Sequence, residues 1–229
     1  MVLEYRRYPM ARLSRTEKKE LTTSQLLETA RQVFLQRGYH RSTLDDIADA
    51  AGFTKGAVYS RFKSKDELFL ALYDEWVDQR IADLARYSTP PKTFEALLRT
   101  DAKRLMALRN THADWYLLLL EFWTYAARDE RLRQELAAHH ERFVRNLAAA
   151  IEASVKALGA TLKRPAIYLA RAGTAISLGV TLEQLLDPDA VPESLMETLL
   201  VLLAGEVTVP SAEKGARAKQ KTRPRPVTA

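Results

Sequence analysis

Between Thr43 and Phe69 the chain packs three helix starts around a single turn glycine, and few folds accept such a pattern. Thr43 stands three residues before Asp46, the spacing at which each side chain caps the other's backbone amide. Leu44, Ile47, Ala48 and Ala51 recur at helical spacing behind that cap, so this helix buries one apolar face. Gly52 follows, where a sharp turn wants a positive backbone angle. Phe53 is expected to fill the space between the helices. Thr54 caps the next helix, with Ala57, Val58 and Phe62 facing inward. Ser64 and Glu67 repeat the capping pattern, so a further helix begins near Lys65. One more helix comes first, with a stripe of Leu26, Leu27, Ala30, Val33 and Phe34. Thr22 and Gln25 are spaced to cap its start, and Gly38 supplies its left-handed stop. The arrangement reads as a helix-turn-helix.

The outer face of the third helix has a distinct chemistry. With Ala57, Val58 and Phe62 inward, Lys55, Gly56, Tyr59, Ser60 and Arg61 face outward. Cations neutralise phosphates and read guanine edges, hydroxyls donate to phosphate oxygens, and glycine lets a backbone come close. Lys65, at the next helix start, has no evident internal role in the sequence and is expected to clamp a phosphate. The partner so implied is double-stranded DNA.

These residues resemble the TetR family of bacterial transcriptional regulators. The resemblance rests on Gly38-Tyr39, Thr43, Ile47-Ala48, Ala51-Gly52 and the run Gly56 to Leu68, with Tyr59, Phe62, Lys65 and Leu68 in a Tyr-x-x-Phe-x-x-Lys-x-x-Leu spacing. The close match runs from about Thr22 to Leu72, and Leu118 to Asp129 is similar more loosely. It implies an Ω-shaped all-helical homodimer, a palindromic operator, and release from DNA when a small ligand binds. By the family pattern Thr43, Thr54, Lys55, Gly56, Tyr59 and Lys65 match DNA-contacting positions. Arg61 stands where a histidine is frequent.

Charge separates the chain into three parts. Residues 1–65 hold 13 Lys/Arg against 7 Asp/Glu, residues 66–209 hold 16 against 21, and residues 210–229 hold 6 against 1. A basic headpiece and tail flank an acidic body, as suits a phosphate-binding end on a self-contained helical domain. The arm with Arg6, Arg7, Arg12 and Arg15 can be read as a minor-groove reach or as a solvated leader. The tail from Ser211 carries prolines at 224 and 226 and almost no apolar residue; it reads as a disordered extension, with a second DNA contact as the other reading.

With no cysteine, the chain excludes disulfides, thiol nucleophiles and cysteine metal sites. His112, His139 and His140 do not form a metal pair with a carboxylate, and no metal or cofactor is expected. No Gly-rich phosphate loop, nucleophile motif or paired-carboxylate site is present, so the chain does not read as an enzyme. There is no signal-peptide core, and the longest apolar run, Trp115 to Leu120, is too short to span a bilayer. A soluble, cytoplasmic protein without a membrane partner is expected.

The body reads as further helices. One runs from Lys65 to about Tyr87, with Leu68, Phe69, Leu72 and Trp76 on a stripe, and Thr89-Pro90-Pro91 breaks the chain. Another spans about Thr93 to Arg109, before a bend at Asn110 to Asp114. From Trp115 to Tyr125 only Glu121 and Thr124 are polar, and a helix apolar all round is expected to be surrounded. Its aromatics make it a candidate wall for an apolar ligand, with Trp115, Leu119, Glu121, Phe122, Trp123 and His140 as candidate contacts. Core packing is the plainer reading of the same residues; Glu121 can instead pair with an arginine of another helix, and His140 can be an ordinary core residue. Asp129 begins a long helix with Leu132, Leu136, His140, Phe143, Leu147, Ile151 and Val155 on one stripe, leaving His139 exposed. Two last helices run from Pro165, at a first-turn position, to Leu186 and from Pro192 to about Ala204. Small residues on the first (Ala172, Gly173, Ala175, Ser177, Gly179) and leucines on the second suit a four-helix interface with a twofold mate, which the family resemblance favours; closing the monomer's own core is the plainer reading.

The fold class expected is all-α: an N-terminal three-helix helix-turn-helix headpiece plus a larger helical ligand-binding and dimerisation domain. The boundaries are a flexible arm over 1–21, the headpiece over 22–66, the body over 67–207 and the tail over 208–229. The function expected is a repressor that binds a palindromic operator as a homodimer and is released by a small, largely apolar effector. An activator and a ligand-independent DNA-binding regulator are the other readings, followed by a nonspecific architectural binder and an α-helical enzyme.

Overall fold

The computed structural model describes residues 15–85, 91–187, 189 and 191–208. The arm through residue 14, the break at Thr89-Pro90 and the tail from residue 209 lie outside the described residues. The order of elements is α1 (Arg15–Arg37), α2 (Leu44–Ala51), α3 (Lys55–Tyr59), α4 (Lys65–Ala85), α5 (Phe94–Thr111), α6 (Ala113–Ala126), α7 (Glu130–Ala157), β1 (Thr161–Leu162), α8 (Ala166–Leu186), α9 (Glu193–Leu202), a 3-10 turn (Leu203–Glu206) and β2 (Val207–Thr208). Two compact units result, one ending at Tyr73 and one beginning at Asp74, with the division inside α4.

The first unit is built on the apolar stripe of α1. Leu26, Ala30, Val33 and Phe34 are buried together with Leu44 and Ile47 of α2, Val58 of α3 and Leu68, Phe69 and Leu72 of α4. Phe34, Tyr39 and Phe69 form an aromatic cluster with ring centroids 5.3 to 5.7 Å apart. Fully burying a side chain of this size contributes about 1.5–3 kcal/mol. The Tyr39 hydroxyl is satisfied by donating to the Asp66 carboxylate at the start of α4. Gly38 closes α1 at φ 78, as its position predicts. The start of α1 differs from the expected one. The helix begins at Arg15, so Thr22 and Gln25 stand inside it, and the Gln25 carbonyl accepts from the Thr29 hydroxyl at 3.0 Å. A spacing that fits a cap is also met inside a helix whose preceding residues continue the turn.

Among the described residues, the second unit holds α5 to α9 around apolar clusters shared between helices. Ala102 and Met106 of α5 pack with Val180 of α8 and Met196 and Leu200 of α9. Phe94 and Leu97 meet Val155 and Leu169. Where α7 and α8 cross, Val144 and Ala148 face Ala166 and Ala170, small residues that permit close approach. Asp129 caps α7 by accepting from the Leu132 amide at 2.8 Å, and Thr93 caps α5 by accepting from the Ala96 amide at 3.1 Å.

Three expectations need correction, and one small element is not foreseen by the sequence. Pro165 is the cap residue of α8, at ψ 136, rather than its first helical residue. The all-α class holds, with one small addition among the described residues: β1 and β2 pair antiparallel, Thr161 with Thr208 and Leu162 with Val207. Two residues per strand carry no readable alternation, so this ribbon is invisible in the sequence. His139 is only partly exposed, because Nδ1 lies 2.7 Å from the Asp74 carboxylate, which also takes Arg142. Finally, α6 is not surrounded by its own chain. Trp115, Leu118, Leu119, Phe122 and Ala126 are buried, while Leu117 is 51% exposed.

Candidate functional site

The turn between α2 and α3 is set by its caps. Thr43 accepts from the Asp46 amide at 3.1 Å while the Asp46 carboxylate accepts from the Thr43 amide at 2.9 Å and its hydroxyl at 2.6 Å. These bonds, the Thr43 hydroxyl first, hold the Asp46 carboxyl below its usual range. Gly52 ends α2 at φ 68, and the Phe53 amide reaches back to the Ala48 carbonyl at 3.0 Å. Thr54 then caps α3 by accepting from the Ala57 amide at 3.2 Å. Val58 and Phe62 are buried and anchor the short helix from within.

That anchoring fixes which side chains face out. Lys55, Gly56, Tyr59 and Ser60 are exposed, as the sequence predicts, with Tyr59 at 49%. The space around Gly56 is open: a Cβ built there meets nothing within 4 Å. Ser60 donates its hydroxyl to the Ala57 carbonyl at 2.8 Å. Thr43 and Thr54 are also exposed beside them.

Two expected outward cations behave otherwise. Arg61 is half-buried and donates to the Thr23 hydroxyl of α1. It follows the end of α3, where its amide bonds the Val58 carbonyl at 2.9 Å and the chain turns back. Lys65 does have an internal role. Its Nζ donates to the Tyr39 carbonyl at 2.8 Å and the His40 carbonyl at 3.4 Å, and lies 4.2 Å from the Tyr39 ring centroid. The sequence hides this because Tyr39 and Lys65 meet only once α1 and α4 have packed. Spacing also missed Asp45, whose carboxylate takes the Lys55 ammonium at 2.7 Å. This bond, with the Asp45 charge behind it, raises the Lys55 pKa above its ordinary value.

In the second unit, the candidate ligand wall separates into two aromatic groups. Trp115 packs against Trp76 of α4, centroids 6.2 Å apart, and Tyr116 meets Trp76 edge-on at 6.0 Å. Arg80 lies 6.0 Å from the Trp76 ring. Further along α6, Trp123 meets His140 edge-on at 5.2 Å, with Phe143 beyond it at 6.1 Å. The Trp123 indole nitrogen is shielded from solvent with no hydrogen-bond partner among the described residues. Leu119 and Phe122 are buried, and Glu121 is half-buried. The structure therefore joins Trp123 with His140 and gives Trp115 a different neighbour, Trp76, that the sequence pattern did not pair with it. Among the described residues no group of three His, Asp or Glu side chains could hold a metal ion. No helix among them is long and apolar enough to cross a membrane.

Burial, followed by the nearby Arg171 charge, pushes the His140 pKa down, with Glu141 opposing. The folded protein thus resists protonating a group that titrates near pH 6.5 when unfolded. Its stabilising contribution is complete above that pH and is lost as the pH falls toward the lowered folded value. Thermal melts from pH 7.5 to 5.5 should show a falling midpoint in wild type and a shallower fall in His140→Phe. Equal slopes would remove His140 from the acid response.

Sequence comparisons align with both units. The profile described as "Bacterial regulatory proteins, tetR family" matches residues 26–72, and that of the "BetI-type transcriptional repressor, C-terminal" matches residues 94–204. The HTH-type transcriptional activator FasR of Mycolicibacterium smegmatis is 44% identical over 71 residues, 31% of each chain. The HTH-type transcriptional regulator TtgR of Pseudomonas putida is 46% identical over 65 residues, 28% of this chain and 30% of that protein. The match thus spans under a third of these relatives' length. Among solved structures, FadR from Bacillus subtilis in complex with stearoyl-CoA superimposes with a TM-score of 0.60 at 18% identity, covering 80% of this chain and 98% of that one. The SmeT–triclosan complex gives 0.61 at 21% identity, covering 83% and 93%. With the capped headpiece of α1 to α3, a helical body of the same fold and matches to both family models in place, the chain belongs to the TetR family of bacterial transcriptional regulators.

Proposed function

We propose that this protein is a homodimeric repressor that docks α3 in the major groove of a palindromic operator and is released by a small, largely apolar effector. The observation that carries the reading is the outward face of α3: a capped helix, anchored by Val58 and Phe62, that presents Lys55, Gly56 and Tyr59 to solvent. Lys55 supplies a cation for a guanine edge or phosphate, Tyr59 a hydroxyl and ring, and Gly56 a backbone that a phosphate can approach. Thr43, Thr54 and Ser60 add hydroxyls at the rim. Lys65 serves in a double capacity, its three donors shared between the Tyr39 and His40 carbonyls and a phosphate oxygen. Arg61 supports the headpiece from within through Thr23 rather than touching bases.

Pairing of two chains is supported by an outer stripe on α8. Tyr168, Arg171, Ala175, Gly179, Leu182 and Leu186 are exposed at spacings of three and four, so one continuous, largely apolar face of the helix is uncovered. Leu202 of α9 is exposed as well. A twofold dimer placing its headpieces about 34–36 Å apart reaches successive major grooves. The effector reading draws support from Trp76, Trp115, Phe122, Trp123 and His140 with Leu119, a largely aromatic set with few polar atoms. Release requires an effector that prefers the state whose headpieces are misplaced.

Gel-shift titration against the promoter region upstream of the protein's own coding sequence tests the reading. Sequence-selective binding by wild type, reduced at least tenfold in Tyr59→Ala, is expected. Tyr59 is the clean choice, since replacing Lys65 also removes its bonds to Tyr39 and His40. Equal affinity for operator and random duplex would overturn the proposal. In vitro transcription from the bound promoter separates repression from the activation that the name of the FasR relative describes.

A further inference from the structure

The recognition face contains a carboxylate that a phosphate-binding surface would not be expected to keep. Asp45, the second residue of α2, places Oδ2 2.7 Å from Lys55 Nζ, the first residue of α3. Both side chains are substantially exposed, Lys55 at 60% and Asp45 at 43%. Asp45 Oδ1 is shielded and has no hydrogen-bond partner among the described residues, so its charge is not quenched by another donor. An exposed pair of this kind adds little to folding. Its consequences fall instead on whatever approaches the face.

We propose that Asp45 is a specificity-determining positioning residue: it holds the Lys55 ammonium as an oriented donor for a base edge and denies it to the phosphates of random sequence. The inference rests on the DNA-binding reading given above. A lysine is a flexible point charge with three donors, and without a partner it neutralises any phosphate within reach. Such contacts make up the sequence-independent part of DNA binding. With one donor committed to Asp45, the remaining two are fixed in direction. A phosphate that replaces Asp45 must also overcome that carboxylate's negative charge. A guanine edge offers neutral acceptors, O6 and N7, and meets no such repulsion. Asp45 thus weakens binding to backbone more than binding to bases, and discrimination is that difference.

The full-length protein tests this by fluorescence anisotropy on a random duplex and on the best site that wild type selects from a random pool, between 50 and 200 mM KCl. Asp45→Asn should bind random duplex several-fold more tightly. Its log affinity should fall more steeply with log salt by about 0.9, the increment for one added phosphate contact. Affinity for the selected site should change little, so the specificity ratio drops. Asp49→Asn removes the same charge one turn along α2 and should have a smaller effect. In Asp45→Asn/Lys55→Met the gain on random duplex should vanish. Lys55→Gln, with Asp45 intact, should lower affinity for the selected site about fivefold or more while leaving random duplex within about twofold; this arm does not depend on how the Asp45 variant folds. Equal gains from the two aspartate variants, a gain that persists without Lys55, or an unchanged ratio would overturn the assignment. A selective wild type with Asp45→Asn unaltered removes Asp45 alone; a wild type without sequence preference removes the regulator reading and this one with it.

Discussion

Gly56→Ala should fold as well as the parent, melt at the same temperature or higher, and bind its operator at least tenfold more weakly. The added methyl meets no described atom within 4 Å beyond its chain neighbours and the helix's own backbone. Gly56 is not among the glycines with positive φ, which are Gly38, Gly52 and Gly159, so its backbone accepts alanine. Alanine is the better helix former by about 1 kcal/mol, and α3 is only five residues long. Nothing inside the protein calls for glycine at this position. A DNA backbone pressed against α3 does, because a Cβ there displaces it from Lys55 and Tyr59 on either side. Gly52→Ala is the useful contrast. At φ 68 it should cost about 1–2 kcal/mol of stability and weaken DNA binding only as far as the turn deforms. Thermal melts and operator titrations on the two variants separate the roles. Unaltered operator affinity in Gly56→Ala would mean that α3 does not approach DNA by this face.

The paired change Leu182→Glu and Leu186→Glu should convert a dimer into a folded monomer and reduce operator affinity by about a hundredfold or more. Leu186 is 85% exposed and Leu182 lies one turn before it on the outer stripe of α8. Among the described residues, neither belongs to the clusters around Met106, Val155 and Val144, so the single chain keeps that core. Across a twofold axis the same carboxylates would face their own copies in an apolar setting, where unpaired charge is strongly unfavourable. The second headpiece then binds as an independent molecule, and the gain from tethering, about 10²–10⁴ for linked sites, is lost. Light scattering after size-exclusion chromatography gives the mass, and circular dichroism shows whether the helices survive. A dimer that persists with full operator affinity would place the pairing surface elsewhere.

What the sequence reveals of this molecule is the part governed by neighbours a few residues apart. Thr43 with Asp46, Thr54, Gly38, Gly52 and Asp129 act within a turn of themselves, and each does what its spacing predicts. The stripes of α1 and α7 are likewise legible because a helix repeats every 3.6 residues. Contacts between distant positions are another matter. Lys65 reads as a bare cation until Tyr39 is brought beneath it, 26 residues away in sequence. Arg61 reads as outward until Thr23, 38 residues away, takes its guanidinium. His139 reads as solvated until Asp74 arrives from α4. In each case the deciding partner is a group, the Tyr39 backbone carbonyl for Lys65 and a side chain for the other two, whose position depends on tertiary packing. The apolar run of α6 shows the reverse error. Its composition calls for complete cover, but Leu117 keeps half its surface because one chain does not enclose the helix.

The small ribbon of β1 and β2 has a practical consequence for shortening this chain. Val207 and Thr208 return to pair with Leu162 and Thr161, and the Lys163 amide donates to the Glu206 carbonyl at 2.8 Å. A cut placed at the last residue of α9 would strip away the strand that clasps the α7–α8 junction and leave the backbone of Thr161 and Leu162 open to a stranger's strand. A trimmed version or a fusion should therefore keep Val207 and Thr208 rather than stop at Leu202.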